Sequence, residues 1–577
     1  MSKHWKQFSW RLPLASTLAI GSALAILPSI VHAQEQTKGI DTGLLDKANA
    51  GDAAAQTLVG IAYAQGKVVP MDDTQAAFWY LKAADQGYVD AELRLGNLYM
   101  YGFGIGQGGA EALHWYQAAA SSGSVEAERQ LGYLYRYGDL WKLNEDDAES
   151  VRWYKLAAAK GDADSQEALG KAYEAGKGAT KDFSQALVWY RMAAKQGKTS
   201  AEYSIGKMYD AGSGVPKDHL EAMRLYRSAA QAGNPDAQFR LATMYYKGQG
   251  VVKSTAEAVL WFRKVAEQKY FYNPGMEGFG ADTAQETLGN IYYNGEGVKR
   301  DYSEALHWYI LASEFDPFEI ITVKVAQMYY KGQGTPEDHA EANRWYIKAA
   351  EKGDRYAQAV LGLHYEFGDG VTKDDSEAAK WYMKAAEQGV EDVMLNLGNM
   401  YNDGRGVPQD FNTAMEWYRK AAAKGVGGAM VNICLLYRDG NGVTQDYSQA
   451  MTWCRKAADK DEPIAFSAIG GLYRDGNGVP QDYSEALRWY HKSAEKGYDR
   501  ALLAIAVMYE QGEGVPQDNG EAYFWYSLSC AAPVPGDTLD KWRRWRDEAA
   551  AKLTPAKLAE IQERTRQWVK THPAIHD

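Results

Sequence analysis

The sequence predicts an all-α protein, an α-solenoid of about thirteen helix-turn-helix repeats with a C-terminal helical cap. A Trp-Tyr pair, or a close variant of it, recurs thirteen times, mostly at 36-residue intervals. A small residue followed three positions later by tyrosine precedes most of these pairs, so each period contains two elements. The 577 residues also exceed what one hydrophobic core usually organises, which favours a repeat array.

Residues 1–33 are predicted to be a secretory signal peptide. A basic n-region precedes an uncharged apolar stretch from Leu14 to Ile26, and Val31-His32-Ala33 offers a small-residue cleavage site. The alternative is an uncleaved anchor, but the apolar stretch is shorter than the roughly 20 residues that a membrane-spanning helix needs. We therefore expect an exported chain, with the periplasm as the first choice of compartment and full secretion as the alternative. Residues 34–43 are predicted to be an N-terminal linker, and no membrane insertion is expected after cleavage.

Both elements of each period have helical periodicity, and we call them helix A and helix B. Ala486, Leu487, Tyr490 and Ala494 follow the three- and four-residue spacing of a helix B. A loop of the form Gly-x-Gly-Val-x-x-Asp joins the two helices, as in residues 476–482. Its glycines can form the left-handed turn that ends helix A, and its aspartate can cap helix B, with the Glu or Gln three residues later completing a capping box.

This pattern resembles the Sel1-like repeat family, which is related to the tetratricopeptide repeats. The matching core is small-x-x-Tyr, Gly-x-Gly-Val, Asp and then Ala-x-x-Trp-Tyr-x-x-Ala-Ala, and it places the array at residues 44–535. The resemblance implies a right-handed superhelix and a role in assembling or regulating other proteins. One hairpin cannot bury its aromatic face alone, so neighbouring repeats should stack and stabilise one another.

Two segments depart from the period. Residues 536–577 lose the repeat but keep helical periodicity, which predicts a cap with apolar contacts from Trp542, Trp545, Leu553, Leu558, Ile561 and Trp568. The spacing from Trp261 to Trp308 is 47 residues, because an aromatic insertion lies near residues 269–280. Its side chains form either a contact loop or a cover over the neighbouring repeats, and they are Tyr270, Phe271, Tyr272 and Phe279.

The cysteines suggest one disulfide bond. Cys434 stands at the small position of a helix A, and Cys454 replaces the tyrosine of the Trp-Tyr pair in the same repeat. These two positions should face each other, and an oxidising compartment would join them as Cys434–Cys454, with two buried thiols as the alternative. Cys530 occupies an alanine position, and we assign it no chemistry.

The sequence predicts no catalytic, cofactor-binding or metal-binding residues. The formal net charge of −12 argues against a nucleic-acid partner. The histidines form no metal-ligand spacing, with His339 expected at a surface or cap position. Ser493 and Lys496 match a Ser-x-x-Lys motif of penicillin-recognising enzymes, but Ser493 lies at an ordinary alanine position and no Lys-Thr-Gly accompanies it.

If helix A lines the concave face, the predicted contact surface consists of the helix A positions that flank the small residue. The residues at these positions are aromatic and polar, as in protein-binding hot spots, although many of the rings could equally pack between repeats. They are Tyr101, Arg129, Tyr133, Arg136, Tyr137, Tyr203, Tyr246, Asn290, Tyr293, Tyr330, Phe367 and Asn399.

These features favour a non-enzymatic scaffold of the cell envelope that binds a protein or peptide in its groove. A cell-wall-directed or β-lactamase-like hydrolase is the alternative from another class, and a glycan- or peptidoglycan-binding module is a third. The sequence identifies neither the partner nor the oligomeric state.

Overall fold

A computed structural model describes residues 39–268, 280–316, 319–531 and 536–571 of the chain. Within these ranges the regular elements are helices and no β-strand forms, which confirms the predicted all-α solenoid-like repeat fold. The predicted signal peptide and the four insertion residues Tyr270, Phe271, Tyr272 and Phe279 lie outside the described residues.

Helix A of repeats 1 to 13 spans, in order, Ala53–Gln65, Val89–Tyr101, Val125–Arg136, Ala163–Ala175, Thr199–Ala211, Pro235–Lys247, Ala281–Asn294, Ile320–Tyr330, Arg355–Phe367, Glu391–Asp403, Gly427–Asp439, Pro463–Asp475 and Asp499–Gln511. Helix B spans Asp73–Ala84, Gly109–Ser121, Asp147–Ala159, Phe183–Lys195, His219–Gln231, Thr255–Ala266, Tyr302–Ala312, His339–Glu351, Asp375–Glu387, Phe411–Ala423, Tyr447–Ala458, Tyr483–Glu495 and Asn519–Ser529. The remaining helices are Thr42–Asn49, Gly536–Ala550 and Pro555–Thr571, with short 3-10 helices at Gly138–Trp141 and Ser313–Phe315.

The chain divides into two compact units. Unit 1 contains repeats 1 to 6 and most of helix A of repeat 7, up to Ile291, together with Gly295–Lys299. Unit 2 contains Tyr292–Asn294 and the chain from Arg300 onwards, and therefore repeats 8 to 13 and the C-terminal helices.

Most hairpin cores are built on a contact between the small residue of helix A and the second aromatic residue of the Trp-Tyr pair. A Cβ atom on Gly96 would lie 2.6 Å from the Tyr116 ring, and one on Gly362 would lie 2.3 Å from the Tyr382 ring. Both rings are fully buried. Since real Cβ atoms essentially never approach other atoms within 3.0 Å, glycine is what lets these rings pack flat on helix A.

The turn inside each hairpin follows the predicted glycine and aspartate pattern. In repeat 12, Gly476 ends helix A with φ +68°, and the Asp482 carboxylate accepts the backbone N–H groups of Ser484 and Glu485 at 3.0 Å each. The reciprocal half of the capping box does not form. The Asp482 N–H instead donates to the Tyr473 carbonyl at 2.9 Å, one of the last carbonyls of helix A, which lack intrahelical donors.

Glutamine side chains connect successive repeats. Gln388 Nε2 donates to Gln358 Oε1 at 2.8 Å and to the Gly353 carbonyl at 3.0 Å, while Gln358 Nε2 donates to the Ala350 carbonyl at 3.0 Å. Gln196 and Gln166 repeat this arrangement in unit 1. Stacking is therefore fixed by directed polar contacts as well as by apolar burial.

The two C-terminal helices pack against helix B of repeat 13. Trp542 and Ile561 are buried, and Trp545, Leu553, Leu558 and Trp568 are partly buried against the core of repeats 12 and 13. The Trp568 ring lies 6.2 Å from the Trp525 ring in an edge-on arrangement. These helices therefore cover the apolar side of the last repeat.

Candidate functional site

A cleft of about 340 Å³ opens in unit 1 on helix A of repeats 2, 3 and 4. Its lining includes five of the predicted groove residues, and we call it the tyrosine cleft: Tyr101, Arg129, Tyr133, Arg136 and Tyr137. The helix A positions that flank the small residue therefore converge from consecutive repeats.

An irregular loop packs against one of the tyrosines that line the tyrosine cleft. In repeat 3 the short helix Gly138–Trp141 replaces the usual glycine turn. Trp141 Nε1 donates to the Met100 carbonyl of repeat 2 at 2.5 Å, and the Trp141 ring lies 5.8 Å from that of Tyr133. Tyr133 in turn lies 4.8 Å from Tyr137. Sequence reasoning missed Trp141, although the 38-residue spacing from Trp115 to Trp153 marks this loop as unusual.

Arg129 and Arg136, the two arginines of the tyrosine cleft, differ in the ion pairs that they form. Arg129 pairs with Asp164 of repeat 4 at 2.5 Å and also with Glu126. Burial opposes the ionisation of Asp164, but hydrogen bonds from Lys198 and Arg129 outweigh it and lower the pKa of this carboxyl. Arg129 is therefore held in a fixed ion-pair network across the repeat boundary.

Arg136 keeps most of its hydrogen-bonding capacity. Its Nη1 lies 4.0 Å from Asp147 Oδ1, and its Nε donates a long 3.4 Å hydrogen bond to the Tyr137 hydroxyl. A guanidinium has five N–H donors, so several remain for a ligand. Tyr101 and Tyr133 are each 38% exposed, and burial raises the pKa of both, so their hydroxyls stay protonated at neutral pH.

Two more predicted groove residues share a second cleft in unit 1. Tyr203 and Tyr246 line a space of about 350 Å³. The Tyr246 hydroxyl donates to Glu296, and its ring lies 6.3 Å from Phe262. The Tyr203 ring lies 5.5 Å from Tyr226. Each of these two rings therefore both lines the cleft and packs against an aromatic ring of its own repeat.

In unit 2 the predicted groove residues have different neighbours. Tyr293 packs 5.2 Å from Tyr302, and Asn399 Oδ1 accepts from the Tyr418 hydroxyl at 2.8 Å. Asn290, at the boundary between the units, is half-buried. Phe367 is 71% exposed.

Tyr330, the remaining predicted residue, lies between two histidine rings. It stacks 4.2 Å from His339 and 5.2 Å from His364, and its hydroxyl donates to Asp369 at 2.7 Å. His339 also bonds to Asp369, which raises the pKa of this imidazole, whereas burial lowers the pKa of His364. His339 thus lies at the start of helix B, as expected, but it also contacts the next repeat.

The cysteine positions face each other as the repeat register predicts. The Cα atoms of Cys434 and Cys454 are 5.2 Å apart, with both sulfur atoms at disulfide distance. Formation of the bond in the exported protein stays a prediction. Cys530 is partly buried, and burial raises the pKa of its thiol.

Ser493 has a structural environment. It is buried, and its hydroxyl donates to the Pro463 carbonyl at 2.7 Å, while Lys496 pairs with Asp461. The two motif residues therefore engage different partners. No group of His, Cys, Asp or Glu side chains suited to a metal ion occurs in the described part of the chain. Across those same ranges, no helix has the length and apolar character to cross a membrane.

Comparison with known proteins identifies the repeat. The Sel1 repeat model matches residues 53–88, 89–124, 125–162, 163–198, 199–234, 235–270, 283–314, 323–354, 355–390, 392–426, 428–462, 468–498 and 499–533. The comparison with curated proteins found no match.

Two solved structures of repeat proteins are similar to this chain. A protective antigen of uropathogenic Escherichia coli with an SLR fold is 29% identical over 92% of this chain and 96% of that protein, with a TM-score of 0.37. A Sel1 repeat protein from Oxalobacter formigenes is 31% identical over 56% of this chain and 89% of that protein, with a TM-score of 0.43. Sel1 repeats generally mediate protein–protein interactions and are generally non-enzymatic. With thirteen matched repeats covering most of its length, the chain belongs to the Sel1 repeat family.

Proposed function

We propose that this chain is a binding scaffold of the cell envelope that holds a partner protein or peptide in the tyrosine cleft. The observation that carries the proposal is the convergence of Tyr101, Tyr133 and Tyr137 with Arg129 and Arg136 on one cleft. Tyrosine and arginine are enriched in protein-binding hot spots, because tyrosine offers a large and rigid contact area and arginine offers a planar fork of hydrogen-bond donors.

The cleft chemistry suits an anchoring segment of a protein. Its volume of about 340 Å³ is at the lower end for ligand pockets, which fits one or two side chains better than a large cofactor. The tyrosine rings offer apolar contact, and Arg136 with the tyrosine hydroxyls offers donors to carbonyl or carboxylate oxygens. Arg129 is held by Glu126 and Asp164, and it supports the cleft rather than supplying free charge.

The proposal of export rests on the sequence alone. The n-region, the apolar stretch and the cleavage site of residues 1–33 support secretion by the general route, and the periplasm is our proposed location.

A crosslinking pull-down from the envelope fraction tests the proposal. The baits are the mature chain, a Tyr133→Ala/Arg136→Ala/Tyr137→Ala variant, and a control with Arg152→Ala and Leu156→Ala, two exposed residues of helix B in repeat 3. We expect a partner that the wild type and the control capture and the cleft variant loses. Equal capture by all three baits would refute the cleft as the site, and the absence of any specific capture would turn the search to cell-wall fragments.

A further inference from the structure

A third cleft, of about 360 Å³, lies in unit 2, on helix A of repeats 11, 12 and 13. Three guanidinium groups line it, from Arg438, Arg474 and Arg500, and we call it the arginine cleft. Arg438 and Arg474 stand four residues after the small position of their repeats, the same position as Arg136 in the tyrosine cleft. The rule that helix A positions near the small residue form the contact surface therefore applies to Arg438 and Arg474 as it does to Arg136.

A missing side chain opens the arginine cleft. Gly471 follows the small residue Gly470, and the other twelve repeats all carry a side chain at this position, such as Asn97 and Asn399. A Cβ atom on Gly471 would lie 3.6 Å from the Tyr490 hydroxyl oxygen, and both residues line the cleft. The absent side chain therefore uncovers a hydroxyl at the bottom of the cleft.

The Tyr490 hydroxyl lacks the acceptor that five equivalent tyrosines have. In three repeats the tyrosine donates to a glutamate four residues after the small position, at 2.6 to 2.8 Å: Tyr190 to Glu174, Tyr382 to Glu366 and Tyr526 to Glu510. In two others it donates to an asparagine directly after the small position, at 2.6 and 2.8 Å: Tyr116 to Asn97 and Tyr418 to Asn399.

In repeat 12 those two positions hold Arg474 and Gly471. A guanidinium only donates and glycine has no side chain, so neither can accept from Tyr490. No hydrogen-bond partner of this hydroxyl is found among the described residues, although Tyr490 is only 4% exposed. Because this hydroxyl faces the arginine cleft, its hydrogen-bond donor is available to an acceptor that enters the cleft.

The arginines around the cleft also have hydrogen-bond donors available for an acceptor. Arg474 Nε bonds to Asp475 at 2.8 Å, and Arg438 bonds to Asp439 through two N–H groups at 2.7 and 2.9 Å. These pairs use one and two of the five donors of each guanidinium. Burial raises the pKa of Tyr490 to about 12, although the nearby Arg474 guanidinium opposes this shift, so the hydroxyl keeps its proton at neutral pH.

We propose that the arginine cleft binds a side-chain carboxylate from an acidic and apolar segment of a partner protein. The carboxylate would accept from Tyr490 and the arginines, in the charge-assisted geometry that guanidinium groups favour. Leu435, Ile464 and Ala504 form an apolar wall beside them, and Ile464 is 38% exposed, so an apolar side chain next to the carboxylate would be covered. This site is independent of the tyrosine cleft, because all of its residues belong to unit 2.

Fluorescence anisotropy of a labelled peptide of alternating Glu and Leu, titrated with the mature chain, tests the ligand class. A peptide of alternating Gln and Leu is the matched control. Hydrogen bonds to charged groups contribute about 1.5–3 kcal/mol, so the neutral peptide should bind at least about tenfold more weakly. Failure of the acidic peptide to bind, or equal binding of both peptides, would overturn the proposal.

Two variants that restore the acceptors of other repeats test the site. Gly471→Asn and Arg474→Glu should fold, since Asn97 and Glu174 occupy the same positions elsewhere, and circular dichroism checks their thermal unfolding. Each should weaken binding of the acidic peptide at least about tenfold, because the new side chain satisfies Tyr490 and occupies or neutralises the cleft. Arg488→Ala, on the exposed face of helix B, should bind as the wild type does. Undiminished binding by Gly471→Asn would contradict the assignment.

Discussion

Cys434 and Cys454 occupy the two positions at which most other hairpins pack a glycine against an aromatic ring, and their Cα atoms lie 5.2 Å apart. Both residues are fully buried. In repeat 11 a covalent link between helix A and helix B can therefore take the place of the ring contact that holds the other hairpins together.

Intact-mass spectrometry with and without reductant tests this link. The exported protein should gain the mass of two hydrogens on reduction, and two thiols that alkylate without reduction would contradict the pairing. Cys434→Ala with Cys454→Ala should lower the free energy of unfolding by up to about 3 kcal/mol, as expected for a short disulfide loop. Cys434→Gly with Cys454→Tyr, which restores the usual contact, should recover part of that loss.

Two helical glycines should respond in opposite ways to alanine. Gly362→Ala forces a Cβ to within 2.3 Å of the buried Tyr382 ring, so it should destabilise the protein by about 1–3 kcal/mol. Gly471→Ala places its Cβ at an ordinary 3.6 Å and improves helix propensity, so it should stabilise the protein by up to about 1 kcal/mol. Chemical denaturation of both variants gives the comparison, and a stabilised Gly362→Ala would refute the packing argument.

The regular part of the molecule could be predicted from the sequence because one pattern is repeated thirteen times. The helix pairs, the glycine turns and the aspartate caps all follow from residue types at fixed spacing. The tyrosine cleft was only partly predictable, because Trp141, which packs on Tyr133, lies in a loop that breaks the repeat. Some contacts between repeats join residues far apart in the sequence, and no local sequence pattern predicts them. Tyr330 and His364, for example, are 34 residues apart.

The stability of unit 2 should depend on pH through His339. Its hydrogen bond to Asp369 raises the folded-state pKa above the ordinary value, so this stabilisation is present below about pH 6.5 and is lost as the pH rises through the folded-state pKa. His339→Gln should therefore cost more unfolding free energy near pH 6 than near pH 9, by less than about 1 kcal/mol for such a partly exposed pair. His339 also pairs with Glu337 at 2.8 Å, which raises its pKa further, so this difference should vanish only in an Asp369→Asn/Glu337→Gln background. Its persistence there would assign the pH effect to another group.

Lysines three residues after the tryptophan cover the ring in seven of the B helices. Lys420 Nζ lies 3.7 Å from the Trp417 ring centre. Lys420→Ala should lower the free energy of unfolding by about 0.5–1 kcal/mol, the usual range for an exposed cation–π pair. Lys380→Ala, which removes an exposed ion pair with Glu377, is the control, and an equal effect of both variants would show that the ring contact adds nothing.

Site-specific photo-crosslinking tests the central claim, that the tyrosine cleft binds a protein, most directly. A photoreactive phenylalanine analogue replaces Tyr137 in the cleft or, as a control, Leu156 on the exposed face of helix B in the same repeat. After irradiation of intact cells, we expect a discrete adduct of the chain with another protein from position 137 and not from position 156. An adduct of equal yield from both positions, or from position 156 alone, would contradict the account.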